Sequence, residues 1–237
     1  MALSTGIPDP VVAGGLLLEG PAGIIEATLD LPADELLRVS PRALALCCHP
    51  HPLFGGSLSN KVIHTVARAC AASGAVALRF NFRGVGRSAG VHDDGVGEAL
   101  DVLALAAQMR RRWPGVPLWL AGFSFGAWIS LKVARQLVPE RLLTVAPPVG
   151  RWDFSTISAP VCPWLVVQGS RDELVDAGAV REWVRGFDVK DGLMKSTHLA
   201  ELPDADHFFH GQLLELRAVV EDFLADAGSV SDDERKI

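Results

Sequence analysis

Residues 116–137 read VPLWLAGFSFGAWISLKVARQL, and the five residues Gly122-Phe123-Ser124-Phe125-Gly126 within this stretch decide the fold. An apolar run precedes them and a run with helical periodicity follows, which predicts a strand, a sharp turn and a helix. In this context a Gly-x-Ser-x-Gly turn strains its serine, and glycines are needed on either side because the backbone is crowded. The pattern predicts Ser124 as an exposed nucleophile. The alternative is an ordinary N-cap serine in a glycine-flanked loop.

Outside this stretch, short apolar runs alternate with longer stretches of helical period. This order is typical of an α/β fold with a mostly parallel sheet and helices on both faces. We predict eight strands, at residues 16–19, 24–31, 43–49, 75–81, 117–122, 142–146, 163–169 and 193–202. We predict five helices, at residues 59–73 (with Ser59 as the cap), 96–113, 125–137, 177–187 and 211–227. The first two strands form an antiparallel hairpin through Gly20, Pro21 and Gly23.

The 237 residues contain no repeat or low-complexity linker that would divide them. We therefore predict one domain over residues 1–227, followed by a short charged tail, GSVSDDERKI, over residues 228–237. The four cysteines have no CxxC spacing and no histidine cluster at zinc-finger intervals. They are predicted to be core thiols rather than metal ligands or nucleophiles.

The composition argues against several classes of protein. Apolar residues make up 49% of the chain and charged residues 21%, a balance typical of globular proteins and not of disordered ones. The net charge of -6 provides no positive field for nucleic acid or an anionic membrane surface. No apolar run approaches the roughly 20 residues of a membrane helix, and the start lacks the regions of a signal peptide. We expect a cytoplasmic protein without nucleic-acid or membrane partners.

A serine hydroxyl needs a base to take its proton, and three histidines follow Ser124 in the chain. His198 lies inside a predicted strand, which favours a role on the strand face. His207 lies in the loop between the last strand and the last helix, at the same sheet edge as Ser124. We therefore predict His207 as the base. His210 is the alternative, although it begins a helix and could support that terminus instead.

The acid that orients the base is predicted to be Asp172, because the apolar strand PWLVVQG ends just before it, at the same edge of the sheet. Glu173, Asp176 and Asp206 are the alternatives. Their positions also fit helix starts or the surface. Asp206 adjoins His207 in the chain, but neighbouring residues rarely orient one another's rings as a triad requires.

Two backbone amides are expected to stabilise an oxyanion, one at Phe125 and one in the loop HPHPLFGGS at residues 49–57. Pro50 and Pro52 have no N–H, which leaves Leu53 as the first candidate and Phe54 as the second. A metal pair at His49 and His51 is the competing interpretation, but no third ligand lies nearby. We expect both rings to shape the loop or to bind backbone around it.

The motifs resemble the α/β-hydrolase superfamily, in particular its small, lidless, dienelactone-hydrolase-like members. The resemblance rests on GFSFG, HPHPLFGGS, LRFNFRGVGRSAG, QGSRDELV and ADHFF, in the family's order. It implies Ser124 as nucleophile, Asp172 as acid, His207 as base, and amide donors at Leu53 and Phe125. Dienelactone hydrolases have cysteine as nucleophile, so Ser124 does not support that substrate. Residues 81–88 are similar to the family's D-x-R-G-x-G-x-S, with asparagine first, which implies a structural turn.

The interval of residues 147–162 leaves no room for the lid that many such enzymes insert there. We expect an open apolar pocket suited to short or medium acyl groups. The substrate-binding candidates are Phe54, Trp152 and Phe208, whereas Phe123 is expected to belong to the core. The apolar side chains considered for the walls are Leu53, Phe54, Phe123, Phe125, Trp152, Phe154, Phe208 and Phe209. No basic cluster adjoins the triad in the sequence, which disfavours strongly anionic substrates, although Arg83, Arg87, Arg151 and Arg171 could approach in three dimensions.

These predictions describe a serine hydrolase that cleaves esters or thioesters of a small-molecule substrate through an acyl-enzyme on Ser124. Such a mechanism needs no cofactor and no metal. An acyltransferase with the same triad and a non-catalytic ligand-binding module on the same fold are the alternatives. The sequence is compatible with a monomer or a homodimer.

Overall fold

The computed structural model describes residues 6–8, 11–191 and 197–226. Eight strands form one sheet in the order β1-β2-β4-β3-β5-β6-β7-β8. The strands are β1 Gly14–Gly20, β2 Gly23–Asp30, β3 Ala43–Cys48, β4 Ala75–Phe80, β5 Leu118–Phe123, β6 Arg141–Val145, β7 Trp164–Gly169 and β8 Thr197–Leu202. The helices are α1 Leu36–Val39, α2 Lys61–Ala72, α3 Val96–Arg112, α4 Phe125–Leu137, α5 Ala177–Asp191 and α6 Leu213–Ala225, with a short 3-10 helix at Pro52–Phe54.

The sheet is mixed. Strands β3 to β8 pair in parallel, whereas β2 pairs antiparallel with both β1 and β4. The predicted α/β fold with eight strands is confirmed, and so is the hairpin of the first two strands. Residues 193–196, at the start of the predicted last strand, and the predicted tail at 228–237 lie outside the described residues.

Side chains of the central strands alternate between two apolar layers, because successive strand residues point to opposite faces. On β3, Leu44, Leu46 and Cys48 belong to the layer formed with α3, α4 and α5. The small residues Ala43 and Ala45 belong to the opposite layer, which α2 and α6 cover. The predicted helices on both faces are therefore present. Among the residues that the structure describes, every helix is too short or too polar to span a membrane.

Three local features differ from the sequence prediction. Helix α2 is capped by Asn60 and not by Ser59, since Asn60 Oδ1 accepts from the amides of Val62 and Ile63 at 3.0 and 3.4 Å. Helix α1, with four residues, and the 3-10 helix, with three, were not predicted. Both elements are too short to display a periodic pattern.

The parallel strands place their carboxyl ends at one edge of the sheet. The loops after β3, β5, β7 and β8 leave this edge, and they contain His49, Ser124, Asp172 and His207 respectively. Residues more than 80 positions apart in the chain therefore meet at this edge, as expected for an α/β sheet, in which sites form beyond the carboxyl ends of the strands.

Candidate active site

Ser124 occupies a strained turn between β5 and α4. Its φ is 53° and its ψ is -118°, a positive-φ conformation that is rare for a residue with a side chain. The turn is held by the Ser124 amide, which donates to the Val145 carbonyl at 2.8 Å, and by the Ser124 carbonyl, which accepts from Ala127 at 2.9 Å. A Cβ at Gly122 would collide with the Gly126 backbone, and one at Gly126 would collide with the Cys48 carbonyl. Both glycines are therefore required by close packing.

The structure brings Ser124, His207 and Asp172 together. His207 Nε2 lies 3.2 Å from Ser124 Oγ, and His207 Nδ1 lies 2.8 Å from Asp172 Oδ2. The Asp172 side chain is fully buried and that of His207 is 4% exposed. An ionised Asp172 can only accept, so His207 donates through Nδ1, and Nε2 is left to accept the serine proton.

Asp172 is held as a carboxylate by several donors. Burial by itself would raise its pKa, but the hydrogen bond and charge of His207 and the amides of Val175 and Leu174 lower the pKa below its usual value. The amides of Leu174 and Val175 donate to Oδ1 at 2.9 and 2.8 Å. Gln168 Nε2 donates to Oδ2 at 2.9 Å. The carboxylate is fixed from both sides and can orient one imidazole tautomer.

The alternative bases make other contacts. His210 binds Asp206 through Nδ1 at 2.7 Å, and its side chain is 73% exposed. His198 lies on β8 against the ring of Phe223. Neither residue is within hydrogen-bond distance of Ser124.

The alternative acids are also engaged elsewhere. Asp206 accepts from the amides of Phe208 and His210, and Asp176 caps α5 through the amides of Gly178 and Ala179. Glu173 accepts the backbone N–H of His207 at 3.2 Å. Glu173 thus supports the His207 backbone, while Asp172 holds the ring.

The two expected loop donors are used within their own turn. Leu53 N–H donates to His51 Nδ1 at 3.2 Å, and Phe54 N–H donates to the His51 carbonyl at 3.2 Å. Within the described residues, the amides of His51 and Phe125 have no hydrogen-bond acceptor. Sequence reasoning overlooked the His51 amide, although it is the N–H that lies between Pro50 and Pro52.

His49 fixes the base of this loop. Its Nε2 accepts the Phe82 N–H at 2.9 Å, which makes Nδ1 the donor to the Pro50 carbonyl at 2.6 Å. Burial lowers the pKa of His49 to about 3, so its imidazole is neutral. Both nitrogens of His49 are occupied by backbone, in agreement with the expected role of this residue in shaping the loop.

A cavity of about 120 Å³ opens beside Ser124 and His207. Phe54, Trp152 and Phe208, the three expected substrate-binding residues, line it. Leu53 is exposed outside the cavity, whereas Phe125, Phe154 and Phe209 are buried in the core, as is Phe123. Trp152 stacks on Trp128 at 5.8 Å between ring centroids. A larger cavity, of about 340 Å³ between α4 and residues 156–162, is lined by none of Ser124, Asp172 and His207.

Solved structures of α/β serine hydrolases resemble this chain over most of its length. No protein-family model matches the chain. An uncharacterised protein of Rickettsia prowazekii is 34% identical over 215 residues, which cover 88% of this chain and 87% of that protein. The crystal structure of XC6422 from Xanthomonas campestris, described as an α/β serine hydrolase without lid, has a TM-score of 0.82 and 42% identity, covering 90% of this chain and 94% of that one. An α/β serine hydrolase homologue from Coxiella burnetii has a TM-score of 0.80 and 39% identity, covering 90% and 98%.

Proposed function

This chain belongs to the α/β serine hydrolases, and from that premise we propose that it cleaves carboxylic ester or thioester bonds of small to medium acyl substrates. The observation that carries the proposal is the hydrogen-bonded series from Ser124 through His207 to Asp172 at the wall of a cavity. Nucleophile, base and orienting acid are the three parts that acyl transfer to a serine requires. We assign these roles to Ser124, His207 and Asp172.

In the first half of the reaction, His207 Nε2 takes the proton of Ser124 while Oγ attacks the carbonyl carbon. The resulting imidazolium is stabilised by Asp172, which stays ionised. The tetrahedral intermediate then collapses, and His207 returns the proton to the departing alcohol or thiol. In the second half, His207 activates water, which releases the acyl group from Ser124. General base catalysis of this kind contributes about 10²- to 10⁴-fold.

The oxyanion of the intermediate needs donors that are free before the substrate arrives. The Phe125 amide fits this role because it begins α4, where the helix dipole also favours negative charge. For the loop donor, the engaged amides of Leu53 and Phe54 favour His51, whose N–H has no acceptor in the described part of the chain. Leu53 serves as donor only if its bond to the His51 ring breaks.

The acyl group is proposed to lie among Phe54, Trp152 and Phe208, the apolar side chains of the cavity. We further propose that residues 1–227 act as one domain and that the protein works in the cytoplasm. The four cysteines support that location, since all are buried and unpaired, as is usual in a reducing compartment.

The decisive experiment is labelling with a fluorophosphonate followed by peptide mapping, beside hydrolysis of p-nitrophenyl esters. We expect one adduct, on Ser124, and loss of both adduct and turnover in Ser124→Ala. Asp172→Asn should lower kcat by about 10⁴-fold, whereas Asp206→Asn, a carboxylate that also binds a histidine, should retain near-normal turnover. Folded wild-type protein without adduct or turnover would indicate a binding module. An acyl-enzyme released faster by an alcohol than by water would indicate an acyltransferase.

A further inference from the structure

Among the described residues, one arginine lines the cavity beside Ser124, and it has no ionic partner among them. Arg151 lines the cavity together with Ser124 and His207, and it is exposed. Resting on the proposed hydrolysis, we propose that the substrate carries a carboxylate that binds the Arg151 guanidinium while its ester lies at Ser124. Arg151 would then determine specificity for an anionic ester and take no part in the chemical step.

The other arginines that were candidates for this role are placed differently. Arg83 is bound to Asp101 at 2.8 Å, and Arg171 is bound to Asp204 at 2.7 Å. Arg87 lines a separate cavity beside β1 and β2. Within the described residues, no carboxylate lies within ionic contact of Arg151. Its five N–H donors are therefore available to a planar acceptor such as a carboxylate.

Among the described residues, no carboxylate of the cavity lining competes with a ligand for Arg151. None of the cavity's described lining residues is an aspartate or a glutamate, although the chain as a whole has a net charge of -6. The neighbouring carboxylates keep their charge, but they are absent from the described lining and are hydrogen-bonded elsewhere. Asp153 binds Ser155, Glu173 binds the His207 amide and Asp206 binds His210. The triad acid Asp172 is fully buried behind His207. Among the described lining residues, Arg151 is therefore the only Asp, Glu, Lys or Arg side chain that a ligand in the cavity meets directly.

The segment that carries Arg151 has a fixed backbone. The Arg151 amide donates to the Pro148 carbonyl at 3.1 Å, Val149 forms a bridge with Trp152, and Gly150 takes a φ of 83° to close the turn. The next residue, Trp152, is held by stacking on Trp128 and on His51. The backbone of Arg151 is therefore already ordered, and the binding of an anion by the guanidinium costs little further backbone entropy.

The test compares two pairs of substrates that differ in one carboxylate. On the acyl side, the p-nitrophenyl monoester of glutarate is compared with p-nitrophenyl pentanoate. On the alcohol side, 4-acetoxybenzoate is compared with its neutral methyl ester. In at least one pair, kcat/KM should favour the anion by about tenfold, the effect of one charge-assisted hydrogen bond. Arg151→Gln should abolish that preference, chiefly by raising KM for the anionic ester of the pair. The control Arg87→Gln, another exposed arginine, should keep it.

Binding gives a second readout that does not depend on turnover. In Ser124→Ala, the NMR titration of monomethyl glutarate should show tighter binding than that of methyl pentanoate, and Arg151→Gln should make the two equal. Equal affinity in the Ser124→Ala protein, together with no anionic preference in either substrate pair, would overturn the proposal. An anionic preference that survives Arg151→Gln would overturn it as well. Absence of turnover with all esters, beside Arg151-dependent binding, would instead contradict only the hydrolase proposal.

Discussion

At the scale of single residues, the site depends on the absence of side chains at the turn as much as on Ser124. Gly126 packs so closely under the loop after β3 that a Cβ would overlap the Cys48 carbonyl. We expect Gly126→Ala to destabilise the fold by about 3 kcal/mol or more, since backbone would have to move. The control is Gly186→Ala in α5, where a Cβ meets nothing within 4 Å.

Gly186→Ala should stabilise the fold by about 0.5–1 kcal/mol, because alanine favours a helix interior. Urea unfolding measures both variants. A Gly126→Ala protein as stable as the wild type would show that the crowding around the turn is not as tight as described.

Two neighbouring side chains at the loop after β3 offer a test of the cavity. Phe54 lines it and Leu53 does not, although both are exposed, at 81% and 69%. The cavity of about 120 Å³ has room for about four groups the size of a water molecule or a methylene. We expect kcat/KM for p-nitrophenyl esters to fall beyond acyl chains of about four carbons.

Phe54→Ala should shift that optimum to longer chains, because it removes a wall, and Leu53→Ala should not. A shift of equal size in both variants would mean that the acyl group does not lie against Phe54.

The meeting of Ser124, Asp172 and His207 could be predicted from the sequence, whereas the engagement of the Leu53 amide could not. The strand-loop order of the chain places Ser124, Asp172 and His207 at one sheet edge, and the structure does bring them together. Whether the Leu53 N–H is available depends on a bond to the His51 ring that no pattern encodes. Likewise, the position of Arg151 at the cavity wall follows from the fold of its loop and not from its neighbours in the chain.

At the scale of elements, the cap of α2 gives a matched pair of variants. The side chain of Asn60 accepts from two amides of the first turn, whereas the adjacent Ser59 is exposed and caps nothing. We expect Asn60→Ala to lower the free energy of unfolding by about 1 kcal/mol. Ser59→Ala should stay within about 0.5 kcal/mol of the wild type. Denaturant unfolding distinguishes the two. A larger loss of unfolding free energy in Ser59→Ala than in Asn60→Ala would show that Ser59 is the cap, as the sequence predicted.

The ends of β3 and β4 are joined by a neutral histidine, which makes the stability depend on pH. The pKa of His49 is lowered to about 3 by burial, from a usual value of about 6.5. The folded state therefore resists a proton that the unfolded chain accepts below about pH 6.5. The stabilisation is complete above that pH, and it decreases as the pH falls towards 3, by at most about 1.4 kcal/mol per pH unit.

Unfolding free energies measured between pH 7 and pH 4 test this contribution. His49→Asn should be less stable than the wild type at pH 7 and should lose less stability on acidification. Parallel pH curves for His49→Asn and the wild type would contradict the prediction.

Element boundaries were predictable wherever a chemical signal marks them. Helix α4 begins and ends at the predicted residues. Its start is marked in the sequence by the glycines of the turn. Helix α2 begins later than predicted, since two polar residues adjoin its start and only the geometry of the turn selects Asn60. Helix α1 has no buried residue, so its sequence has no apolar stripe from which the helix could be predicted.

At the scale of the whole molecule, the part of the chain that the structure describes forms no separate cover over the cavity. The stretch between β6 and β7, residues 146–163, contains one isolated bridge and no helix. Access to Ser124 therefore requires no movement of a domain, in keeping with the lidless relative from Xanthomonas campestris. Hydrolases that must open a cover gain activity when an aggregated substrate stabilises the open form, because a ligand shifts a conformational equilibrium by its differential affinity. A site that is already open offers no such equilibrium.

We therefore expect the hydrolysis of tributyrin to rise hyperbolically with concentration and to show no jump at its solubility limit. The same rate of p-nitrophenyl acetate hydrolysis is expected with and without micelles of a neutral detergent, since the ester itself is dissolved in both cases. A steep gain at the solubility limit would require a segment that covers the cavity in solution and leaves it at an interface. In that case fluorophosphonate labelling of Ser124 should also accelerate in the presence of micelles, which separates a conformational cause from a higher local concentration of ester.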